Sequence, residues 1–257
     1  MTKRLLVSYD VRMNLVQRLD DGGLTTLTLN RPEKHNALNV PMFEELRRHV
    51  ADIAAATDTV GCVLVRGAGR SFCSGNDLAA IAAGEQPPEP HFQARVIDEL
   101  ASLPQPVVAA VHGHCYAGGL ELALAADIIL AAESARFADV HATWAMTPVW
   151  GMSQRLPRRV GAAKAKEMMF TARVRTGREA AAIGLANTCW ADDAFDAAVE
   201  EMVRQIVANS WFTHRMNKRL LAETQTATLS EGLAYELAHS GALGPDAADR
   251  LARFTRR

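Results

Sequence analysis

One stretch limits what this chain can become more than any other: Val111-His-Gly-His-Cys-Tyr-Ala-Gly-Gly-Leu-Glu-Leu-Ala-Leu-Ala-Ala-Asp127. The apolar run Val107 to Val111 leads into it as a buried strand, and a glycine-bearing turn follows. That turn opens directly into an apolar, alanine-rich helix. Gly118 and Gly119 therefore fall where a helix presents unpaired backbone N–H groups and the positive end of its dipole. Glu121 follows in the first turn, a carboxylate in an otherwise oily segment. Donors for a developing negative charge thus stand beside a proton-transfer group, and that pairing suits chemistry at a carbonyl.

A second turn supplies a partner. Val63-Leu-Val-Arg-Gly-Ala-Gly-Arg-Ser-Phe-Cys-Ser-Gly-Asn-Asp-Leu78 reads as a buried strand, a polar turn and a short Ser-Gly-Asn-Asp bend. Backbone N–H groups around Gly75 and Asn76 can point at the same oxygen as that of Gly118. Two such donors form an oxyanion hole, in which each typically lowers the barrier by about 3 kcal/mol.

Around these turns, short Val/Ile/Leu-rich strands alternate with helical segments up to about residue 135. Leu24 to Leu29 alternates as a half-buried strand, and Asp21-Gly-Gly before it is a hairpin turn closing a strand from Met13 to Leu19. Val40 to Ala56 carries apolar residues at helical spacing, with Pro41 tolerated near its start. Gly61 to Val65 reads as a buried strand, and Ala125 to Ala131 as the end of one helix running into another. The breaker-rich loop Gly84 to Pro90 precedes a helix to about Leu103. After Leu156 the pattern is mainly helical: Ala162 to Thr171, Gly177 to Gly184, Asp193 to Ala208, Trp211 to Glu223 and Ser230 to Ser240. Strands and helices interleaved early, then helices alone, predict an α/β core over residues 1–195 and a helical C-terminal region over 196–257.

Composition narrows the partners. The chain has 257 residues, enough for a substantial core, and its formal net charge of −1 gives no field that recommends nucleic acid or membrane. Arginines cluster at Arg155 to Arg159 and at the C-terminus, as solvated surface or as a seat for a coenzyme phosphate. Cys62, Cys73, Cys115 and Cys189 show neither CxxC nor metal-ligand spacing, so buried reduced thiols and a cytoplasmic location are expected. The apolar stretch after Lys3 and Arg4 is too brief for a signal-peptide core, and no apolar run approaches the ~20 residues of a membrane span. His112 and His114 bracket Gly113 with Glu121 as a conceivable third ligand. Nothing else resembles a metal cluster, and no metal is expected. Ser74 and Ser153 lack the His and Asp partners of a nucleophilic serine.

Three segments carry a resemblance. Leu29-Asn-Arg-Pro-Glu-Lys-His-Asn-Ala-Leu38, Ser71-Phe-Cys-Ser-Gly-Asn-Asp-Leu78 and Gly113-His-Cys-Tyr-Ala-Gly-Gly-Leu-Glu-Leu122, in that order, resemble the enoyl-CoA hydratase/isomerase, or crotonase, family over most of the chain. The resemblance implies a crotonase-like spiral of ββα turns capped by a helical C-terminal region that builds homotrimers or homohexamers. It implies an acyl-CoA substrate, with coenzyme A entering as part of the thioester and no separate cofactor. The activity implied is a lyase of the hydratase type in fatty acid and lipid metabolism, adding water to a trans-2-enoyl-CoA. The backbone N–H groups of Asn76 and Gly118 would form the oxyanion hole, and Glu121 would serve as acid/base. The coenzyme A groove would follow the segment from Arg31, with Lys34, and the bend containing Ser74, Asp77 and Leu78. Phe254 and Arg257 match the terminal aromatic and basic residues that reach the coenzyme, sometimes on a neighbouring subunit. Trp144, Met146 and Trp150 fall where the acyl pocket wall would stand, bulk that limits chain length or favours a flat substrate, unless they are simply core.

The resemblance breaks at one place. Hydratases of this family typically divide proton transfer between two glutamates, and the second is missing here. The segment Ala135-Arg-Phe-Ala-Asp-Val-His-Ala-Thr-Trp-Ala-Met-Thr-Pro148 puts His141 in its place. Histidine exchanges protons near neutral pH and can replace the acid, or it can be a packed, pocket-lining imidazole. Asp139 lies two residues earlier and reaches the same face as His141 if the segment is extended, where it would orient the ring; on a turn that inference fails. Three functions stay open: hydration, another crotonase-family reaction on an acyl-CoA (isomerisation, decarboxylation or C–C cleavage), and acyl-CoA binding with little catalysis.

Overall fold

Strands buried on both faces need continuous apolar runs, and that need sets the centre of this molecule. The computed structural model describes residues 14–241 and 243–255. The chain enters as a hairpin in which β1 (Val16–Asp21) and β2 (Leu24–Leu29) pair antiparallel. Gly22 and Gly23 turn it with φ of 56° and 92°, the left-handed pair that a tight two-residue loop requires. Helix α1 (Val40–Ala55) starts at Asn39, whose side chain accepts the N–H of Met42. Its buried stripe of Phe43, Leu46, Val50 and Ile53 faces the core, each side chain contributing about 2 kcal/mol. Strand β3 (Cys62–Gly67) then lies parallel to β2.

The next turns of the chain build the site. Helices α2 (Leu78–Ala82) and α3 (Phe92–Ala101) lead to β4 (Val107–Val111), which lies parallel to β3 with all five residues buried. A short strand β5 (His114–Tyr116) and helix α4 (Gly118–Leu124) follow. Strand β6 (Ile128–Ala132) returns beside β4, and β7 (Arg136–Ala138) lies beside β5. Each turn thus gives one strand to a central sheet, a shorter one to a second sheet, and then a helix. The parallel bridge between Cys73 and Cys115 ties the preceding turn to the same second sheet. This is the crotonase-type spiral of ββα turns.

Helices α5 (Met152–Val160) and α6 (Ala162–Thr171), strand β8 (Arg175–Thr176) and helix α7 (Gly177–Ala182) close the second sheet. Strand β9 (Thr188–Trp190) completes the central sheet in the order β1-β2-β3-β4-β6-β9. Helix α8 (Asp192–Ala208) packs Phe195, Val199 and Val203 onto Cys62, Leu64, Val108 and Leu130 of its outer face. The last helices, α9 (Trp211–Glu223), α10 (Leu229–His239) and α11 (Ala247–Thr255), are different: α9 and α10 contain no buried residue. Leu229, Leu233, Leu237 and Leu251 stand exposed on α10 and α11.

Several boundaries differ from expectation. Ala125 to Ala131 is not a helix running into a helix: α4 ends at Leu124, Asp127 accepts the N–H of Val107, and β6 begins at Ile128. A short apolar run has no period of its own, and pairing with β4 decides its state. The expected division at 195/196 cuts through α8; the change in packing falls after Ala208 instead. The first strand described runs from Val16; Met13, the expected start, lies outside the described residues, as do Lys3 and Arg4. Among the described residues, no helix is long and apolar enough to cross a membrane.

Candidate active site

The two glycine-bearing turns foreseen in the sequence meet beside one cavity. Leu38 pairs with Asn76 as in a parallel ladder: its N–H donates to Gly75 O (2.8 Å) and its oxygen accepts the N–H of Asp77 (2.9 Å). The intervening Asn76 turns its own N–H to the opposite side, where the cavity lies. On the other turn, Ala117 donates to Ala138 O (3.0 Å) and Gly118 begins α4. A Cβ on Gly75 would lie 3.3 Å from the nitrogen of Gly118, so the two turns are in contact. Neither the Asn76 nor the Gly118 N–H meets an acceptor among the described residues. Ala117 holds φ 44° and ψ −115°, a conformation that an L-residue with a side chain adopts only under constraint.

Glu121 sits one turn further along α4 and is 1% exposed. Its Oε1 accepts two backbone N–H groups, from Trp150 (2.8 Å) and Met152 (3.0 Å). Its Oε2 faces His141 Nε2 at 3.7 Å. Burial pushes the Glu121 pKa above the ordinary carboxylate value and prevails over the Met152 N–H, the charge of His141 and the Trp150 N–H, which pull it down.

His141 opens a short 3-10 turn, His141–Trp144, so the extended spacing that would align it with Asp139 does not occur. The contact forms by another route. Asp139 folds back over the turn, and its Oδ1 accepts both the backbone N–H of His141 (3.1 Å) and its ring Nδ1–H (2.5 Å). Asp139 is 1% exposed. Burial opposes the charge on His141, but the hydrogen bond and charge of Asp139 and the charge of Glu121 together hold its pKa above the ordinary value.

A cavity of about 390 Å³ joins these groups. Trp144, Met146 and Trp150 all line it. Trp150 is core-like, 5% exposed and edge-on to Phe43, with ring centroids 5.0 Å apart, whereas Trp144 at the mouth is 56% exposed. Ser74 and Leu78 line the same cavity. Arg31 and Asp77 are occupied with each other at 2.9 Å, Arg31 also donating to Ala37 O (2.6 Å) and Asp77 capping α2. Lys34 is exposed nearby, and Phe254 stands 80% exposed on α11, apart from the residues that line the cavity. Arg257 lies outside the described residues. His112 and His114 turn to Gly69 O and Ser71 Oγ rather than toward Glu121. Burial pushes the thiols of Cys62 and Cys73 up to about 12, in keeping with packed, unreactive cysteines.

Two contributors escaped the sequence: the amides of Trp150 and Met152 that hold Glu121. A backbone N–H carries no residue-type signature, and only the closeness of Trp150-Gly-Met152 to the resemblance could have drawn attention to it.

A ββα spiral that brings two unpaired N–H groups, a buried carboxylate and an imidazole to one cavity is the frame of a crotonase-type protein. The family model described as enoyl-CoA hydratase/isomerase matches residues 20–246, and the chain belongs to that family. Its relatives differ in reaction. Methylglutaconyl-CoA hydratase of mouse mitochondria is 34% identical over 225 residues, 84% of this chain and 71% of the relative. The 1,2-epoxyphenylacetyl-CoA isomerase of Escherichia coli is 31% identical over 221 residues, 83% of this chain and 84% of the relative. A Thermobifida fusca protein bearing an enoyl-CoA hydratase name, solved in complex with acetoacetyl-CoA, superimposes with a TM-score of 0.81 at 28% identity, covering 95% of this chain and 96% of the other.

Proposed function

We propose that this protein hydrates a trans-2-enoyl-CoA thioester. The observation that carries the reading is the 3.7 Å gap between Glu121 Oε2 and His141 Nε2, beside two unpaired N–H groups. A water hydrogen-bonded to both atoms at about 2.8 Å spans that gap. The thioester oxygen accepts from Asn76 and Gly118. Glu121 as carboxylate takes a proton from the water, whose oxygen bonds to the β-carbon, and the π electrons move onto the thioester oxygen as an enolate. Collapse of the enolate takes a proton at the α-carbon from His141 or Glu121, so the elements of one water are added. Coenzyme A belongs to the substrate, and no step calls on a metal or redox cofactor.

The apolar cavity walls support a neutral acyl group, and the family supports an acyl-CoA substrate. The exposed leucines of α10 and α11 support assembly into homotrimers or homohexamers, the free cysteines support a cytoplasmic location, and the family supports a role in fatty acid metabolism. A second reading, double-bond isomerisation, keeps the enolate and returns the proton to the γ-carbon without adding water. The imidazole of His141 in place of a second carboxyl weakens that reading, because isomerases of this family usually rely on an acid at this position. Loss of the conjugated thioester absorbance of crotonyl-CoA and longer enoyl-CoAs tests hydration. Rapid loss, abolished in Glu121→Gln, is the expected result; binding without loss across that panel overturns it.

A further inference from the structure

Asp139 is a buried carboxylate that the mechanism above does not use. Its recorded partners are the two N–H groups of His141, both on Oδ1, and it does not line the cavity. We propose that Asp139 is a positioning residue: it fixes the His141 ring with Nδ1–H turned away from the cavity and leaves Nε2 to meet the reacting water and substrate. The proposal rests on the acyl-CoA reading for its catalytic consequence, but its geometric content concerns the free protein alone.

Three observations converge on it. First, a carboxylate oxygen can only accept, so the 2.5 Å contact requires the proton to be on Nδ1. Nε2, on the far side of the ring, then carries either a lone pair or the second proton, and it is this atom that faces Glu121 at 3.7 Å. Second, the turn that closes Asp139 onto the backbone N–H of His141 holds the carboxylate in place whichever state the ring adopts. Third, among the described residues Glu121 is the one other charge shown to act on the ring, and it acts on the Nε2 side, opposite Asp139. Glu121 from α4 faces the ring, and the other side chains lining the cavity, including Ser74, Asn76 and Thr147, are not ionisable at neutral pH. Helix α6 packs against the turn that bears His141, and its charges are engaged elsewhere: Lys164 with Glu167 (2.5 Å), Glu167 also with Arg175, and Lys166 exposed to solvent.

The result is a proton-transfer pair built differently from two carboxyl groups. A lone imidazole in an apolar wall would rotate and lose its proton on burial, whereas one held from behind keeps both its orientation and its charge. Substituting Asp139 by Asn keeps the shape and an acceptor oxygen but removes the charge. The positive form of His141 then loses its main support, and the ring titrates at lower pH. The alkaline limb of kcat, where His141 gives up the proton it donates, moves the same way.

Long-range 1H–15N correlation of the imidazole of His141 in the free protein reads the tautomer directly. The wild-type ring is expected to carry its proton on Nδ1 above its titration point, and Asp139→Asn to titrate at lower pH. A ring protonated on Nε2 alone overturns the proposal whatever the enzyme turns over, and this measurement needs no variant to fold. In turnover, Asp139→Ala is expected to lower kcat about a hundredfold with little change in KM, and to have no further effect in a His141→Ala background. Equal losses in both backgrounds would make Asp139 a support of the fold rather than of His141. Correct NMR behaviour with no hydration would leave Asp139 in its role and overturn the reaction assigned to the site.

Discussion

The indole of Trp150 lies against the α-carbon of Gly118: a Cβ built on Gly118 would sit 2.2 Å from ring carbon Cζ3. Under the proposed function, the residue that offers an oxyanion-hole N–H is thus also the surface on which the acyl-pocket wall rests. Gly118→Ala therefore has to displace a buried ring, and it is expected to lose both stability and turnover. Trp150→Leu frees space beside Gly118 without removing the amide that binds Glu121. The ratio of kcat/KM for long over short enoyl-CoAs should rise in that variant. An unchanged ratio across the chain-length series would remove Trp150 from specificity.

The two titrating groups make a signed prediction about stability. Both Glu121 and His141 have folded-state pKa values raised above those of the unfolded chain. Each favours folding fully below its unfolded value, and that contribution is lost as pH rises through its folded value. The site should therefore stabilise the protein least on the alkaline side. Glu121→Gln removes the carboxyl part of this dependence. The difference in Tm between wild type and Glu121→Gln, followed from about pH 4.5 upward, is expected to move steadily in favour of the variant.

Activity responds to the same groups in the opposite sense on the acid side. In the proposed reaction Glu121 works as a base only when ionised, so the acid limb of kcat/KM should lie above the ordinary glutamate value. Glu121→Gln is expected to lower kcat by about 10²–10⁴, with binding of a saturated acyl-CoA retained. Titration calorimetry beside turnover checks both halves.

Ala117 stores strain at the entrance to α4, with φ 44° and ψ −115°. Such a conformation costs about 1–3 kcal/mol in a residue with a side chain, while glycine's added freedom in the unfolded chain costs about 0.5–1 kcal/mol. Ala117→Gly is expected to stabilise the protein by about 1 kcal/mol, seen as a higher urea midpoint at unchanged m-value. A fall in the midpoint would mean that the methyl group packs better than its backbone suggests.

The ion pair of Arg31 with Asp77 joins the segment after β2 to the bend that carries Asn76. Arg31→Ala should destabilise by about 2 kcal/mol and raise KM by the same factor for acyl-CoA and for acyl-pantetheine. A rise confined to acyl-CoA would assign Arg31 to the coenzyme phosphates instead.

Much of this was legible in the chain because the chemistry needs turns, and turns leave marks. Ser74-Gly-Asn-Asp77 and Ala117-Gly-Gly119 announce close backbone approaches, and β4 and α6 fall at the very residues that periodicity assigns. Ile128 to Ala132 was hidden because an apolar run too short to show a period is settled by its neighbour, β4. Strands β7, β8 and β9 are two or three residues long and exist only through pairing. The link between Asp139 and His141 was foreseen for an extended segment and arises on a turn, because the carboxylate reaches backward over its own backbone. The pairing of Arg31 with Asp77 was not legible, since a basic side chain placed along a groove does not reveal which carboxylate the fold brings to it.

The anchoring of Glu121 by the amides of residues 150 and 152 has an evolutionary corollary. Every amino acid except proline brings that amide with it. The wall of the pocket can drift through many side chains while the base stays where it is, so substrate preference and proton chemistry can diverge on separate clocks. At residues 150 and 152 the anchoring itself excludes a single residue type.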